Sequence, residues 1–271
     1  MKKLAVLLCL LLVAMSLLTV FASAAGGQTS AAFASGNGKI DRFLRIFVDE
    51  GGYRQVLRGL KNTLLIAVIG LVIGVVLGTL IAAVRVMPRY KTLPKVLNAI
   101  CTVYVGFFRG TPIVVQLLLG YYVLLPALGL NYPALSVCIV VFGLNSGAYV
   151  SEIMRGGISS VDGGQLEAAR ALGLPYPSAM VRVVIPQAVK NILPTLGNEF
   201  ISLIKETSVV SFVGTLDIYV AFNAIGTNSY EFMVPYLAMA LVYIVLVAAA
   251  TLMVKLMERR LARSDRSISS H

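Results

Sequence analysis

The hydrophobic residues of the chain fall in long, nearly uncharged runs that are separated by polar or basic segments. A helix needs about 20 mostly apolar residues to cross a bilayer. After an N-terminal hydrophobic segment, the pattern predicts membrane-spanning helices over residues 62–84, 99–125, 133–154, 194–216 and 232–254. Residues 110–151 carry no charge, and we divide them at 126–133 because the sequence PALGLNYP is typical of a turn. The sequence therefore predicts an all-α integral membrane protein with five spans.

The N-terminal segment has the layout of a secretory signal peptide. Lys2 and Lys3 precede an apolar run, and an A-x-A sequence follows at 22–24. The same segment could instead remain attached as a signal-anchor helix, and either form would carry the following residues outward. A mildly amphipathic stretch at 40–48 suggests a helix on the outer surface. We expect a signal peptide or anchor, an extracytoplasmic linker, a transmembrane domain and a basic cytoplasmic tail over residues 1–24, 25–59, 60–257 and 258–271.

The chain as a whole is apolar and poor in charge. Hydrophobic residues make up 58% of it and charged residues 13%, and its mean hydropathy is +0.86. An ordinary soluble domain is about half apolar and about a quarter charged. This composition excludes a soluble enzyme, a disordered chain and a fibrous protein.

The net charge of +11 is best explained by topology and lipid. In a soluble protein it would suggest nucleic acid. Here most lysines and arginines fall in the segments that lie inside if the N-terminus starts inside and the spans alternate, as the positive-inside rule requires. The cysteines (Cys9, Cys101 and Cys138) lie in apolar runs and the single histidine is the last residue, so we expect no disulfide framework and no metal site.

The cytoplasmic stretch 155–193 is predicted to contain one short helix over residues 163–172. Asp162 and Gln165 resemble a capping box at its start, and Gly173 suits a left-handed cap at its end. Ala168, Ala169 and Ala171 give the helix a small, smooth surface. Such a helix could enter a groove on another protein, or it could be a structural elbow between two spans.

This stretch also carries a spaced motif. Glu167-Ala168-Ala169 is followed by three residues, Gly173, nine residues and then Val183-Val184-Ile185-Pro186. The motif resembles the EAA loop of ABC importer permeases, whose pattern is EAA-x3-G-x9-I-x-L-P. Val183 and Ile185 replace the Ile and Leu of that pattern.

The surrounding sequence resembles the polar amino acid uptake branch of these permeases. The segment Phe108-Arg109-Gly110-Thr111-Pro112, with Gln116 after it, is similar to the FRGTP segment of that branch, and Lys205-Glu206-Thr207-Ser208 follows its later pattern with Glu206 where Asp is usual. The resemblance covers about residues 50–260. It implies the five-span transmembrane domain of a type I ABC importer, of the MetI-like kind, in the bacterial cytoplasmic membrane.

The resemblance also implies partners and a mechanism. The chain has no G-x-x-x-x-G-K-S/T loop for binding nucleotide, so its energy must come from another subunit and we expect no cofactor in this chain. Two ABC ATPase subunits, a second permease subunit (identical or different) and an extracytoplasmic amino acid binding protein would complete the importer. Closure of the ATPases on ATP would rock the bundle between inward-open and outward-open states.

Two sets of site residues follow. The resemblance assigns contact with the ATPase to Gln165, Glu167, Ala168, Ala169, Gly173 and Pro186. Glu167 would be the ionic contact, and the alternative is a solvated charge paired with Arg170 one turn later.

The second set would line the path of the substrate. Its members are Arg109, Thr111, Gln116, Asn145, Tyr149, Glu152, Glu199, Ser202, Lys205 and Glu206. An amino acid zwitterion needs an acceptor for its ammonium group and a donor for its carboxylate. Charges inside a membrane are costly and normally face a partner or a wet cavity, so these residues either serve the substrate or pair with one another to hold the bundle together.

Other functions fit the sequence less well. An ABC permease for another small solute would share the fold, although the FRGTP-like segment argues against it. An ion-coupled secondary carrier should show inverted repeats with broken helices, and we find no such repeats in the sequence. An intramembrane enzyme would need a nucleophile with its base, and the chain has no internal histidine.

Overall fold

The computed structural model describes residues 31–87 and 92–268, with side chains for residues 38–87 and 92–259. The predicted signal segment, the first residues of the linker and the last three residues of the tail lie outside these ranges. The described helices, in chain order, are α1 (Ala31–Leu44, extended by a π-helical turn at Arg45–Asp49), α2 (Gly52–Val86), α3 (Thr92–Gly110), α4 (Ile113–Ala127), α5 (Ala134–Ser159), α6 (Gly163–Ala171), α7 (Tyr176–Val213), α8 (Ile218–Ser229) and α9 (Met233–Ile268). Below, "inner" denotes the side predicted to be cytoplasmic.

Among the described helices, three are long and apolar enough to cross a membrane, namely α2, α5 and α9. Five spans result if each of two bent pairs counts as one. Helices α3 and α4 meet at 108°, and α7 and α8 meet at 55°. The predicted spans therefore correspond to helical segments, but two of them are broken.

The prediction of one continuous helix over 99–125 is wrong. The chain leaves the helix at Gly110 and resumes it at Ile113, with Pro112 in an extended conformation. Proline lacks an N–H group and pushes the preceding residue, Thr111, out of the α region. The break lies near the middle of the apolar region, because α3 meets α5 at Leu144 and Asn145, about ten residues into α5.

Two further segments differ from the sequence prediction. Residues 155–193 are not a loop with one short helix, because α7 begins at Tyr176 and runs on into the span predicted over residues 194–216. A π-helical turn at Met180–Val184 precedes Pro186. Proline has no backbone N–H group to donate, and a π-helical turn accommodates the resulting gap in the helical hydrogen-bond pattern. Helix α8 was not predicted at all; Asp217 caps it by accepting a 2.8 Å hydrogen bond from the Val220 N–H.

The centre of the bundle is the contact between α2 and α5. Gly70, Gly74 and Gly78 are buried on one face of α2, and a Cβ added at Gly74 would lie 2.8 Å from Ser146 Cβ. Gly143 on α5 likewise faces Ile73 of α2. Glycines four residues apart let two backbones approach closely, and here they allow α2 to pack directly against α5.

Helix α1 lies against the outer end of the bundle. Lys39 forms an ion pair with Glu231 at 3.2 Å, and Arg42 donates to the Ser229 carbonyl at 3.2 Å. Ile46 is buried among residues of α2 and α8. The amphipathic stretch in the predicted linker is therefore part of a helix that is held by both charge and packing.

Acid is expected to loosen α1. The hydrogen bond from Lys39 lowers the pKa of Glu231 from its usual value of about 4.3. The contact therefore contributes to stability at pH values above that usual range, and its contribution is lost as the pH falls through the lowered value. Hydrogen–deuterium exchange over residues 38–49, corrected for intrinsic rates, should quicken on acidification and, at neutral pH, in Glu231→Gln. Glu50→Gln is the control, because the Glu50 carboxylate pairs with Arg45 at 3.7 Å and both side chains are exposed. Equal effects of the two variants would refute the role of the Lys39 contact.

Candidate functional site

The first part of the site is helix α6, which is capped at both ends. Asp162 Oδ1 accepts a 2.9 Å hydrogen bond from the Gly164 N–H. At the other end Gly173 has φ +86°, the Leu174 N–H donates to the Ala169 carbonyl at 3.2 Å, and the Gly173 N–H donates to Arg170 at 3.0 Å. These two bonds form a Schellman motif. The helix ends one residue before the predicted limit and is a delimited, rigid unit.

The exposed face of α6 carries Gln165, Glu167 and Ala168. Glu167 makes no hydrogen bond or ion pair with any described residue; Arg170, its predicted alternative partner, instead donates to the Leu174 carbonyl at 3.5 Å. Leu172, at the end of the helix, is 85% exposed. The face thus combines a free carboxylate with an uncovered apolar side chain.

Two of the residues predicted to contact the ATPase differ from the prediction in burial or in hydrogen bonding. Ala169 is buried, and α6 as a whole packs against the π-helical turn near the start of α7. The Gln165 amide does not complete a capping box; its oxygen accepts a long, 3.5 Å hydrogen bond from Gln187. Gln187 follows Pro186, so this bond ties α6 to α7 beside the predicted proline.

The second part of the site is an open cavity of about 520 Å³ between the end of α3 at the Gly110 break, the inner half of α5 and the first half of α7. Arg109 and Tyr149 line it, and the Arg109 guanidinium lies 5.5 Å from the centre of the Tyr149 ring. Asn191 and Thr195 line the facing side, on α7. A cation, an aromatic ring, an amide and a hydroxyl therefore share one cavity.

Glu152 also lines this cavity, but two arginines already hold its carboxylate. Arg85 of α2 bonds to Oε1, and Arg155 donates to Oε2 at 2.7 and 3.0 Å. Glu152 therefore joins the inner ends of α2 and α5, and it is less suited than Glu199 to accept a substrate ammonium group.

A polar stripe continues from the cavity along α7. Its members lie three or four residues apart, which places them on one face of the helix. They are Asn191, Thr195, Asn198, Ser202 and Glu206. Most are exposed, and the neighbouring Lys205 is exposed as well. A polar face on an apolar span must meet water or another protein segment, because lipid cannot satisfy it.

Glu199 lies beside this stripe and connects it to the contact between α2 and α5. Its Oε1 accepts a 2.9 Å hydrogen bond from Ser146 Oγ, and Ser146 packs against Gly74. Within the described part of the chain, the predicted pathway charges Arg109, Glu199, Lys205 and Glu206 do not pair with one another. The alternative that they hold the bundle together as ion pairs has no support in one subunit.

Thr111, Gln116 and Asn145 have a structural role at the break between α3 and α4. Gln116 is buried, and its Nε2 lies 2.9 Å from the Phe108 carbonyl, the Thr111 carbonyl and Thr111 Oγ1. Asn145 Nδ2 donates to Gln116 Oε1 at 2.9 Å. These amides bind carbonyls that the bend leaves without helical partners, which is what broken backbone inside a membrane requires.

Gln116→Leu is expected to destabilise the protein. It would leave the Thr111 carbonyl without its amide donor and the Phe108 carbonyl with the longer, 3.3 Å bond from Asn145, at a cost of about 1–3 kcal/mol. Thermal denaturation in detergent measures the effect. The control is Val115→Leu, a change at a neighbouring residue that is 40% exposed; if both variants melt at the same temperature as the wild type, the amide does not hold the bend.

Sequence reasoning missed Asn191 and Thr195 of the cavity and Asn198 of the stripe. The spacing of the polar residues over 191–206 could have revealed them, since one polar position recurs every three or four residues.

Known proteins resemble the chain over most of its length. Residues 74–263 match the family of "Binding-protein-dependent transport system inner membrane component". The arginine transport system permease protein ArtQ of Bacillus subtilis is 38% identical over 210 residues, covering 78% of this chain and 94% of that protein. A putative glutamine transport system permease protein GlnP of Rickettsia bellii is 35% identical over 216 residues, covering 80% and 93%.

The solved structures agree. The crystal structure of an amino acid ABC transporter with histidines has 39% sequence identity and a TM-score of 0.71, and it covers 77% of this chain and 94% of that one. A MetNI methionine ABC transporter, at 18% identity and a TM-score of 0.64 with 76% and 96% covered, shares the fold. These matches confirm the resemblance drawn from the EAA-like loop and the all-α membrane fold. The chain belongs to the family of inner membrane components of binding-protein-dependent transport systems.

Proposed function

We propose that the chain is the membrane-spanning permease subunit of an ATP-driven ABC importer for amino acids. The observation that carries the proposal is helix α6, a doubly capped helix that presents a free Glu167 on the inner side. A rigid helix with one unpaired charge is suited to transmit force from an ATPase. The matched relatives transport arginine and, putatively, glutamine, which supports an amino acid as the substrate.

The partners follow from this role. Two ATPase subunits would bind the α6 helices of a permease pair at the inner face. The second permease subunit, identical or different, would cover the polar stripe on α7. An extracytoplasmic binding protein would deliver the amino acid at the outer face of a bacterial cytoplasmic membrane.

The cavity and the stripe would form the substrate path. Arg109 offers a donor for the substrate carboxylate, and Glu199 and Glu206 offer acceptors for the ammonium group. Two copies of the chain, or this chain and a related one, would enclose these groups between them, and rocking of the two halves would expose the path to each side in turn.

The experiment is uptake of a panel of labelled amino acids into proteoliposomes that contain the chain with its ATPase and binding protein. Uptake that requires ATP and the binding protein would support the proposal and identify the substrate. Uptake driven by an ion gradient without ATP would overturn it. In the same assay, Arg109→Gln should raise the KM for uptake, whereas Lys95→Gln, at an exposed position of the same helix, should not; equal KM values would remove Arg109 from the path.

A further inference from the structure

A second cavity lies beside the start of α7, and its lining is apolar, unlike that of the cavity that contains Arg109. It is an open groove of about 430 Å³ between the inner ends of α2 and α5 and the first turns of α7. Its walls include Ala83, Met87, Met154, Met180, Ile185 and Val189. Ligand pockets in proteins have volumes of about 300–1,000 Å³, so the groove is large enough for a bound molecule.

The lining offers a ligand almost nothing to hydrogen-bond. Thr79 belongs to the lining, but its hydroxyl already donates to the Val75 carbonyl at 2.6 Å. The remaining polar side chain, Tyr176, is 37% exposed. The three methionines are flexible side chains that adapt to chains of varying shape. An occupant must therefore be hydrocarbon.

The position of the groove gives the source of that hydrocarbon. Helix α2 carries no charge from residue 62 to residue 84, and Arg85, bound to Glu152, marks the end of this run. The groove lies along the last two turns of α2, from Thr79 to Met87. Its open side therefore faces the acyl chains of the inner leaflet.

A second permease subunit is a poorer occupant. On α7, Ile185 and Val189 point roughly a third of a turn away from the polar stripe that contains Asn191 and Thr195, at 3.6 residues per turn. That stripe is the face that a protein partner or water must cover. The groove lies on the neighbouring, apolar side of the helix.

We propose that the groove binds the acyl chain of an inner-leaflet phospholipid. The acyl chain fills the space between the transmembrane helices and the start of α7, which connects directly to α6. Lipid binding here supports the packing of α6 and the start of α7 on the bundle, and it does not depend on which solute is transported.

The test uses the absence of tryptophan from the sequence. A single tryptophan at Met87, on the rim of the groove, becomes a unique fluorophore, and a phospholipid with acyl chains brominated near the headgroup quenches it on contact. Met253→Trp is the matched control: both methionines are exposed, at 47% and 58%, and both lie beside an inner-end basic residue, Arg85 or Lys255. The protein is kept in detergent, and the brominated lipid is added from roughly stoichiometric amounts upward.

We expect the tryptophan of Met87→Trp to lose fluorescence at roughly stoichiometric lipid, and that of Met253→Trp only at a large excess. Ala83→Leu, which fills the groove from an exposed position, should shift the first curve onto the second, and Ala248→Leu, at an exposed position of α9, should not. Identical curves for the two tryptophans would mean that the groove has only the ordinary contact with surrounding lipid. Quenching at Met253→Trp without any at Met87→Trp would mean that protein covers the groove. Either result overturns the proposal.

Discussion

Glu167→Lys is expected to abolish ATP-driven uptake while leaving the permease folded. Glu167 is exposed on α6 and makes no hydrogen bond or ion pair with any described residue of its own subunit. Reversing its charge therefore removes no contact within the chain. In the assembled importer, the same carboxylate would face the groove of the ATPase.

The size of the effect follows from the energetics of interface charges. Removing one partner of a buried charge pair at an interface costs about 2–5 kcal/mol, which is roughly 30-fold to several thousand-fold in affinity, and reversal adds repulsion. The ATPase should bind the variant more weakly and hydrolyse ATP without driving transport. Co-purification of the ATPase and ATP-dependent uptake measure the two consequences.

The control is Glu258→Lys, the same charge reversal at an exposed position near the inner end of α9. It should retain uptake. If Glu167→Lys transports as well as the control does, Glu167 is a solvated helix charge and the coupling contact must lie elsewhere on α6, for instance at Leu172.

The sequence was most informative where structure depends on neighbouring residues. The Asp162 cap and the Gly173 turn delimit α6 to within one residue of the prediction, because a helix cap depends on residues that are close together in the sequence. The spacing of Gly70, Gly74 and Gly78 likewise predicts a packed helix face. The EAA-like motif then indicated the family, which the family comparison confirms.

The sequence was less informative where structure depends on distant contacts. Pro112 signals a break in the span predicted over residues 99–125, but the 108° angle depends on Gln116 and Asn145, and Asn145 lies on another helix. Their position as polar residues within predicted spans made these amides candidates to line a substrate path; their bonds to backbone carbonyls became clear only from the structure. The burial of Ala169 also depends on where α7 begins.

Gly59 is the clearest case of a residue whose importance comes from a distant contact. It falls at the end of the predicted external linker, yet it lies within α2, buried against the segment before α8. A Cβ at this position would lie 2.6 Å from the carbonyl carbon of Asp217 and 3.0 Å from the Ile218 nitrogen. These are backbone atoms, so no side-chain rotation can relieve the clash.

Gly59→Ala is therefore expected to destabilise the outer half of the bundle. The start of α8 must move, which strains the 2.8 Å hydrogen bond from Asn62 to the Leu216 carbonyl and the buried cap at Asp217. Overpacking of this kind costs about 1–3 kcal/mol, partly offset by the gain of up to about 1 kcal/mol that alanine brings to a helix interior. The midpoint of thermal denaturation in detergent, followed by circular dichroism, should fall.

Gly106→Ala supplies the matched control, because Gly106 lies inside α3 and an added Cβ would meet no atom within 4 Å. This variant gains the helix propensity without the clash, so its midpoint should stay the same or rise. A Gly59→Ala protein that melts with or above the control would show that α2 and α8 do not approach as closely as the structure places them. The predicted difference thus measures the close packing that holds the outer end of α2 against α8.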